Sequence, residues 1–222
     1  MERLLICGLL DEDLRGIARD YQTGLSELTG NRLALRFPVH ITLRGPFHAS
    51  TAISSLCAIL QRVCRLHRRV PIQLTGPVFV DPDLCWFEVG RTAAGFSTLL
   101  DLHGRFEKEI AKAVVLDDVP EDFKGRNYRP HVTLGWGAKG NADGASSSGS
   151  GLLEAERVTI GDHPLFHRPV ALTGVVENVA IARYPRGWPL EGDVEILESV
   201  ALLKAGWEIE VERLLTGSKI KD

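Results

Sequence analysis

The sequence contains one four-residue pattern twice, as His40-Ile41-Thr42-Leu43 and as His131-Val132-Thr133-Leu134. Polar and apolar residues alternate in each copy, and in a β-strand this period of two places His and Thr on one face and the apolar pair on the other. Two such strands lining one cleft would bring two imidazoles and two hydroxyls into a small volume. This set of groups is suited to proton transfer around a phosphate.

The chemistry that fits these residue types is cleavage of a phosphodiester by water. One group must take a proton from the water and another must give a proton to the departing oxygen. Histidine can do both near neutral pH, because its ordinary pKa is about 6.5. The hydroxyls of Thr42 and Thr133 can bind the nonbridging phosphate oxygens and stabilise the charge that builds on them. This scheme requires no metal.

Residues beside the two patterns are candidates for substrate binding. Arg44 can hold a phosphate or form an outward salt bridge. Phe47 can stack on a base or pack in the core or between lobes. The same alternatives apply around the second pattern to Tyr128, Arg129 and Trp136. Lys124 and Arg126 can steer RNA or lie in a solvated loop.

The elements that position the first pattern can be predicted from hydrophobic periodicity and from the residues that cap helices and form turns. The expected order is a strand over 3–10, a helix from Asp11 or Asp13 to Thr29 stopped by Gly30, and the first histidine strand over 36–43. A turn at Arg44-Gly45-Pro46-Phe47 should end that strand. A helix over 54–68, strands over 70–80 and 84–91 and a helix over 96–114 follow.

The second half of the chain has more loops. A polar connection over 117–127 leads to the second histidine strand, which Pro130 places at a strand start or sheet edge. The Gly/Ser tract at 138–151 predicts a mobile surface loop, either a flap over the cleft or a tolerated insertion. Residues 152–161 are ambiguous between a helical turn and a strand. Strands are expected over 170–183 and 193–203, then a tail with a further edge strand from Trp207 that frays from about residue 215.

Composition limits the class of protein. The 222 residues, 44% of them hydrophobic, are sufficient for a packed core, and we treat residues 1–222 as one bilobal domain. A net charge of -3 argues against nonspecific coating of nucleic acid, so a polyanion must be held by local Arg and Lys. The four cysteines show no CxxC pair, and the apolar run at the N-terminus is too short to span a membrane. We therefore expect a cytoplasmic protein, in a monomeric state.

The remaining histidines offer one alternative site. His163 and His167 are four residues apart with Asp162 adjacent, a spacing that on a helix would favour a metal site. Pro164 interrupts such a helix, so we expect no metal. No Walker-type or Rossmann glycine motif is present.

The paired His-x-Thr-Leu patterns, the first followed by Arg-Gly-Pro-Phe and the second preceded by Arg-Pro, resemble the two-histidine (2H) phosphoesterase superfamily. The similarity is to its bacterial 2′-5′ RNA ligase and cyclic phosphodiesterase branch, and it extends from about residue 3 to residue 203, where Tyr184-Pro185 and Gly187-Trp188 also fit. The Gly/Ser tract and the acidic tail have no counterpart in that family pattern. This departure leaves access to the cleft and the length of any RNA undefined.

The resemblance implies an α+β fold of two pseudo-symmetric lobes, with antiparallel sheets flanked by helices and a central cleft carrying the two histidine strands. It implies catalysis without metal or other cofactor on RNA ends or nucleotides that bear a 2′,3′-cyclic phosphate or a 2′-5′ linkage. On matching positions, His40 and His131 become the catalytic pair and Thr42 and Thr133 the phosphate ligands.

We assign His131 as the base that activates water and His40 as the acid that protonates the leaving ribose oxygen. The near-identity of the two patterns leaves the reverse assignment open, and ligation would exchange the roles. The expected activity is opening of an RNA 2′,3′-cyclic phosphate to a 2′-phosphate, with reversible 2′-5′ ligation as an added activity. Alternatives are an RNA-end-binding module without turnover and a cyclic phosphodiesterase of a small nucleotide metabolite.

Overall fold

A computed structural model describes residues 2–80, 84–119, 123–136, 163–184 and 193–204. Within these ranges the chain forms three α-helices and eight β-strands. The strands are β1 (Arg3–Leu10), β2 (His40–Ala49), β3 (Val70–Val80), β4 (Leu84–Val89), β5 (Val114–Asp117), β6 (His131–Trp136), β7 (Val170–Tyr184) and β8 (Glu195–Ala201). The helices are α1 (Glu12–Thr29), α2 (Ile53–Cys64) and α3 (Phe96–Ile110), and short 3₁₀ turns cover Leu33–Arg36 and Gly125–Asn127.

Local capping explains the bounds of α1. The Asp11 carboxylate accepts a hydrogen bond from the Leu14 amide at 2.9 Å, which satisfies one of the unpaired N–H groups of the first turn. At the other end Gly30 adopts a left-handed conformation (φ 71°) and its amide donates to the Ser26 carbonyl. Both ends of this helix confirm the sequence prediction.

The first histidine strand differs from its prediction at both ends. Residues 33–36 form a 3₁₀ turn, so β2 begins at His40 and not at Arg36. The Arg44-Gly45-Pro46-Phe47 segment does not turn, because β2 continues through it to Ala49. Gly45 has φ 126°, and the register against β1 shifts opposite this point, which is the geometry of a bulge within a strand.

The other differences between the predicted and the observed elements are smaller. Helices α2 and α3 end four residues before their predicted ends, at Cys64 and Ile110. The connection over 117–127 begins with the last residue of β5, which pairs with β2. Strand β7 runs unbroken through Gly174. The Gly/Ser tract, residues 152–161 and the tail from Trp207 lie outside the described residues.

The strands fall into two antiparallel groups that share β7. Residues 170–176 of β7 pair with β3, and the order β6-β4-β3-β7 makes one group. Residues 176–184 pair with β1, and β5, β2, β1, β7 and β8 make the other. A single residue pair, Ile41 with Val132, joins β2 to β6 between the groups. The fold is therefore a bilobal α+β fold in which the two histidine strands meet.

The apolar residues of both patterns lie in the main core. Ile41, Leu43, Val132 and Leu134 are fully buried, together with side chains of all three helices. All four cysteines are free thiols, and three of them are buried. No helix in the described ranges is both long and apolar enough to cross a membrane. The predicted alternation of the patterns is confirmed, since their apolar halves face inward.

Candidate active site

The site lies where β2 and β6 meet. The antiparallel pair Ile41 and Val132 sets the register, and one step to either side places His40 opposite Thr133 and Thr42 opposite His131. These four polar side chains are half-buried, whereas the apolar side chains of the two patterns are fully buried. Each imidazole therefore lies beside the hydroxyl of its own strand and across from the hydroxyl of the other.

Both rings are held by the same hydrogen bond. The Nδ1 of His40 lies 2.7 Å from the Pro38 carbonyl oxygen, and the Nδ1 of His131 lies 2.7 Å from the Arg129 carbonyl oxygen. A carbonyl can only accept, so Nδ1 carries the proton in both rings. When the rings are neutral, Nε2 is the basic atom of each. The fold thus fixes the tautomer and directs the chemistry to Nε2.

An aromatic ring packs against each histidine. The Trp86 ring stacks on His131 with 4.2 Å between centroids, and the Phe37 ring stacks on His40 at 6.1 Å. Trp86 is cross-strand from Thr133 in the β4–β6 pairing, and Phe37 precedes β2 by three residues. The Trp86 contact covers one face of the His131 ring and restricts its rotation, whereas Phe37 lies farther from the His40 ring.

Burial lowers the pKa of both histidines. For His40, loss of hydration outweighs the opposing effect of the Pro38 carbonyl on the pKa. For His131, burial is again the main cause, the Arg129 carbonyl opposes it, and the positive charge on His40 lowers the pKa further, to about 4. The two rings are close enough to influence each other, and His131 is neutral at pH 7.

Two cavities open beside the histidines. The His40 cavity, about 140 Å³, is lined by residues that include His40, Thr42, Thr133, Gln22 and Tyr184. The His131 cavity, about 40 Å³, is lined by residues that include His131, Thr42, Arg129, Lys124 and Phe123. Thr42 borders both, and its hydroxyl lies 3.2 Å from the His40 Nε2. A phosphate beside Thr42 would therefore be within reach of both sides of the cleft.

Gln22 of α1 is a site residue that the sequence analysis missed. Its side-chain amide donates to the Thr133 carbonyl at 2.8 Å, which ties α1 to the second histidine strand. Its Oε1 is buried with no hydrogen-bond partner among the described residues. The residue is 3% exposed, unusual for glutamine, but nothing in the helical pattern of α1 distinguishes it before folding.

Arg44 lines the His131 cavity, so phosphate binding stays a prediction for it, but the outward salt bridge is wrong. It is 7% exposed, so it forms no outward salt bridge, and its guanidinium donates two hydrogen bonds to the Asp117 carboxylate at 3.1 and 2.7 Å. Burial alone would raise the pKa of Asp117, but the bonds from Arg44, the Val119 amide and Lys124 lower it to about 2. The Arg44 side chain is thus part of an internal ion pair that joins β2 to β5.

Phe47 packs in the core, which is one of the two positions that the sequence allowed for it, and not at the surface of the cleft. This ring is fully buried in the main core, because β2 continues past Gly45 and turns the side chain inward. Tyr128 is also buried, but at the cleft wall. Its hydroxyl donates to the Thr42 carbonyl at 2.7 Å and its ring stacks on His103 at 4.0 Å. Tyr128 therefore fixes the position of the first pattern.

Arg129 and Trp136, the last two residues predicted beside the second pattern, have different positions. The Arg129 side chain is exposed at the rim of the His131 cavity, while its carbonyl holds the His131 ring. Trp136 ends β6 opposite Leu84, and its side chain lies outside the described residues. Of the two basic residues considered for steering, Lys124 pairs with Asp117 at 3.2 Å and Arg126 is exposed.

No group of three or more His, Cys, Asp or Glu side chains suited to a metal occurs in the ranges that the structure describes. His163 and His167, the alternative metal pair, make local bonds instead. The Leu165 amide donates to the His163 Nδ1, and Arg168 donates to the His167 Nε2.

The aromatic residues that pack on the histidines were not predicted as part of the site. Phe37 and Trp86 belong to a segment before β2 and to β4, and their role depends on which strands become neighbours. Tyr184 was noted in sequence only as part of the family resemblance. It lines the His40 cavity and packs edge-on against Phe37, with the Arg3 guanidinium 4.5 Å from its ring centre.

Comparison with solved structures finds the same fold. A structure of TT0787 from Thermus thermophilus is 20% identical, with a TM-score of 0.52 over 90% of this chain and 97% of that chain. A structure described as a phosphoesterase is 14% identical, with a TM-score of 0.55 over 91% and 98%. E. coli LigT complexed with NADP+ is 14% identical, with a TM-score of 0.52 over 90% and 98%.

Comparison of sequences gives two results. No curated protein matches this chain. The sequence profile of the 2′-5′ RNA ligase superfamily matches residues 12–145, which are more than half of the 222 residues and include both histidine patterns. With the meeting of those patterns in one cleft and a fold shared with the structures above, this match shows that the chain belongs to the 2′-5′ RNA ligase superfamily of 2H phosphoesterases.

Proposed function

We propose that this protein is an RNA 2′,3′-cyclic phosphodiesterase that needs no metal and opens a terminal cyclic phosphate to a 2′-phosphate. The observation that carries the proposal is the paired tautomer. Two imidazoles, each with Nδ1 bonded to a carbonyl, offer their Nε2 atoms for proton transfer beside two hydroxyls. A reaction that needs one base and one acid around a phosphorus atom uses all four groups.

The proposed step begins with the cyclic phosphate bound between Thr42 and Thr133. The base removes a proton from water as the water oxygen forms a bond to phosphorus. The bond between phosphorus and the ribose O3′ breaks, and the acid donates its proton to O3′. The products are a 3′-hydroxyl and a 2′-phosphate, and the proton taken by the base replaces the one given by the acid.

The low pKa of His131 supports its assignment as the base. A ring with a pKa of about 4 is neutral at pH 7 and can accept a proton from water. His40 then has to carry the proton that the leaving oxygen takes. Because the His40 Nδ1–H is bonded to the Pro38 carbonyl, the proton for the leaving oxygen is the one on Nε2, beside the Thr42 oxygen at 3.2 Å.

The choice of a nucleotide substrate rests on family membership and on the relatives. The LigT structures are described as complexes with NADP+ and with 3′-AMP, and we carry nucleotide binding over to this chain as part of the proposal. Joining and cutting of 2′-5′ linkages is proposed as the reversible activity of the same site. A cytoplasmic location and a monomeric state stay predictions from the sequence.

The decisive experiment is hydrolysis of adenosine 2′,3′-cyclic phosphate in excess EDTA, with separation of the 2′-phosphate and 3′-phosphate products. We expect the 2′-phosphate, and we expect His40→Ala and His131→Ala each to lower kcat by about 100- to 10,000-fold. A melting curve for each variant controls for folding. Full activity of the double variant, or complete loss of activity with EDTA, would overturn the proposal.

Two alternatives predict other outcomes. An RNA-end-binding module would bind a cyclic-phosphate-ended oligonucleotide tightly and release no product. A cyclic phosphodiesterase of a small nucleotide metabolite would turn over its substrate without competition from RNA. The modest net charge of -3 is compatible with the second alternative, so the competition assay belongs in the first set of measurements.

A further inference from the structure

A third and larger cavity adjoins the His131 side of the cleft. It encloses about 590 Å³, a volume in the range of sites for organic ligands, and we call it the arginine cavity because Arg91, Arg126 and Arg129 line it. It is bounded by Trp86 and Phe123 as well, and no acidic residue of the described ranges lines it. None of the steps proposed above uses this cavity.

The three arginines are available to a ligand. Their residues are exposed, and none of the three side chains makes a hydrogen bond or an ion pair within the described part of the chain. Other arginines near the cleft form ion pairs, as Arg44 does with Asp117 and Arg3 does with Asp118. In a protein of net charge -3, three guanidinium groups that have no partner among the described side chains form a local site for an anion around one cavity.

The arginine cavity is the neighbour of the His131 cavity, with which it shares lining residues. Phe123, Tyr128 and Arg129 line both this cavity and the His131 cavity. Phe123 packs against His131 with 6.2 Å between ring centroids and edge-on against Trp86 at 6.3 Å. The shared side chains place the arginine cavity next to the space in front of His131, at the distance of one packed aromatic ring.

Guanidinium groups and aromatic rings together are the means by which proteins hold single-stranded RNA. Arginine pairs with phosphate oxygens, and aromatic rings or guanidinium planes stack on unpaired bases. Resting on the proposed function, we propose that the arginine cavity binds the nucleotide next to the cyclic phosphate end of the RNA. A mononucleotide would fill only the space around the histidines.

The test compares kcat/KM for adenosine 2′,3′-cyclic phosphate with kcat/KM for a dinucleotide that ends in the same cyclic nucleotide. We expect the dinucleotide to be preferred by about tenfold or more, the equivalent of one good contact. In the Arg91→Glu, Arg126→Glu double variant this ratio should fall close to one. The matched control is the Arg15→Glu, Arg65→Glu double variant, which makes the same charge change at exposed arginines outside the cavity.

A binding measurement separates this inference from the proposed function. A labelled dinucleotide with a 2′-phosphate end should bind the wild-type protein with a salt dependence that becomes shallower in the Arg91→Glu, Arg126→Glu variant, by about 0.7 in log–log slope per lost phosphate contact. An unchanged slope and an unchanged kcat/KM ratio would overturn the arginine cavity as a nucleotide site. Absence of turnover with both substrates would instead overturn the proposed function, and the binding result would still decide the inference.

Discussion

At the residue scale, the site depends on where a single proton sits on each imidazole. A carbonyl two residues earlier in the chain binds the Nδ1–H of each histidine, so the same local geometry occurs at Pro38–His40 and Arg129–His131. The asymmetry between the rings comes from their neighbours. Trp86 packs closely on His131, whereas Phe37 lies farther from His40.

The hydroxyls can be tested by an isosteric change. Thr133→Val and Thr42→Val keep the shape of the side chain and remove a donor to the phosphate, so each should lower kcat by about 100-fold with a small change in KM. Thr→Ser at the same positions restores the hydroxyl and should recover most of kcat. Equal activity of the Val and Ser variants would contradict a role for the hydroxyls in the transition state.

The pH dependence follows from the lowered pKa of both rings. The acid must be protonated in the free enzyme, so kcat/KM should fall as the pH rises through a value below the ordinary histidine pKa of about 6.5. It should also fall below the His131 pKa of about 4, where the base is protonated. We therefore expect a kcat/KM maximum at mildly acidic pH.

In the enzyme–substrate complex, the phosphate anion favours the charged imidazole and raises its pKa. The alkaline limb of kcat should thus lie at higher pH than that of kcat/KM. Steady-state rates with a cyclic mononucleotide at constant ionic strength would measure both limbs, with circular dichroism to confirm folding at the acidic end. A kcat/KM maximum above about pH 7.5 would contradict a lowered pKa for the acid.

At the scale of elements, β2 carries the first pattern and also closes one wall of the cleft. Its bulge at Gly45 borders both histidine cavities. The Arg44–Asp117 pair anchors it to β5, and the Tyr128 hydroxyl anchors it to the segment before β6. The Tyr128 bond thus adds a second link between the two histidine strands, beside their one shared residue pair.

The bulge can be tested at Gly45. A Cβ at this position would lie 2.8 Å from the Leu5 Cα, at a φ of 126° that L-residues rarely adopt. Gly45→Ala should therefore destabilise the fold by about 1–3 kcal/mol and lower the melting temperature. In the control, Gly16→Ala in α1, no atom lies within 4 Å of the new Cβ, and a gain of about 0.5–1 kcal/mol is expected. Urea and thermal unfolding of both variants measure the difference, and equal stabilities would refute the strain.

At the scale of the whole molecule, the six strands β1, β2, β6, β4, β3 and β7 pair in a closed order. β7 serves both groups, and the Ile41–Val132 pair closes the ring on the other side. β1 is paired along both edges, with β2 and with β7, and Leu4 to Cys7 are almost completely buried. The most stable part of the molecule should therefore be the wall behind the first pattern.

Hydrogen exchange measured by mass spectrometry tests this distribution of stability. Amides of β1 and of the β7 half that pairs with it should exchange only by global unfolding, whereas β5, which pairs only with β2 among the described strands, should exchange through local opening. Removal of the Ile41 side chain in Ile41→Ala should speed exchange in β2 and β6 before β1. Uniform exchange across all these strands would argue against separate stability of the two groups.

The sequence by itself determined the features that depend on near neighbours. Alternation fixed the face on which His40, Thr42, His131 and Thr133 lie, and the cap residues Asp11 and Gly30 set the ends of α1. The repeated pattern was also sufficient to identify the family. Each of these properties depends on spacing within a few residues, and the amino-acid sequence contains that information directly.

Only the tertiary structure decided what surrounds the four groups. The pairing of Ile41 with Val132 joins residues far apart in sequence, and with it Trp86, Phe37 and Gln22 take their places at the site. The same packing placed Phe47 in the core and paired Arg44 with Asp117. Such contacts are selected by the burial and hydrogen-bonding of the whole fold, because local propensity is nearly the same for each alternative partner.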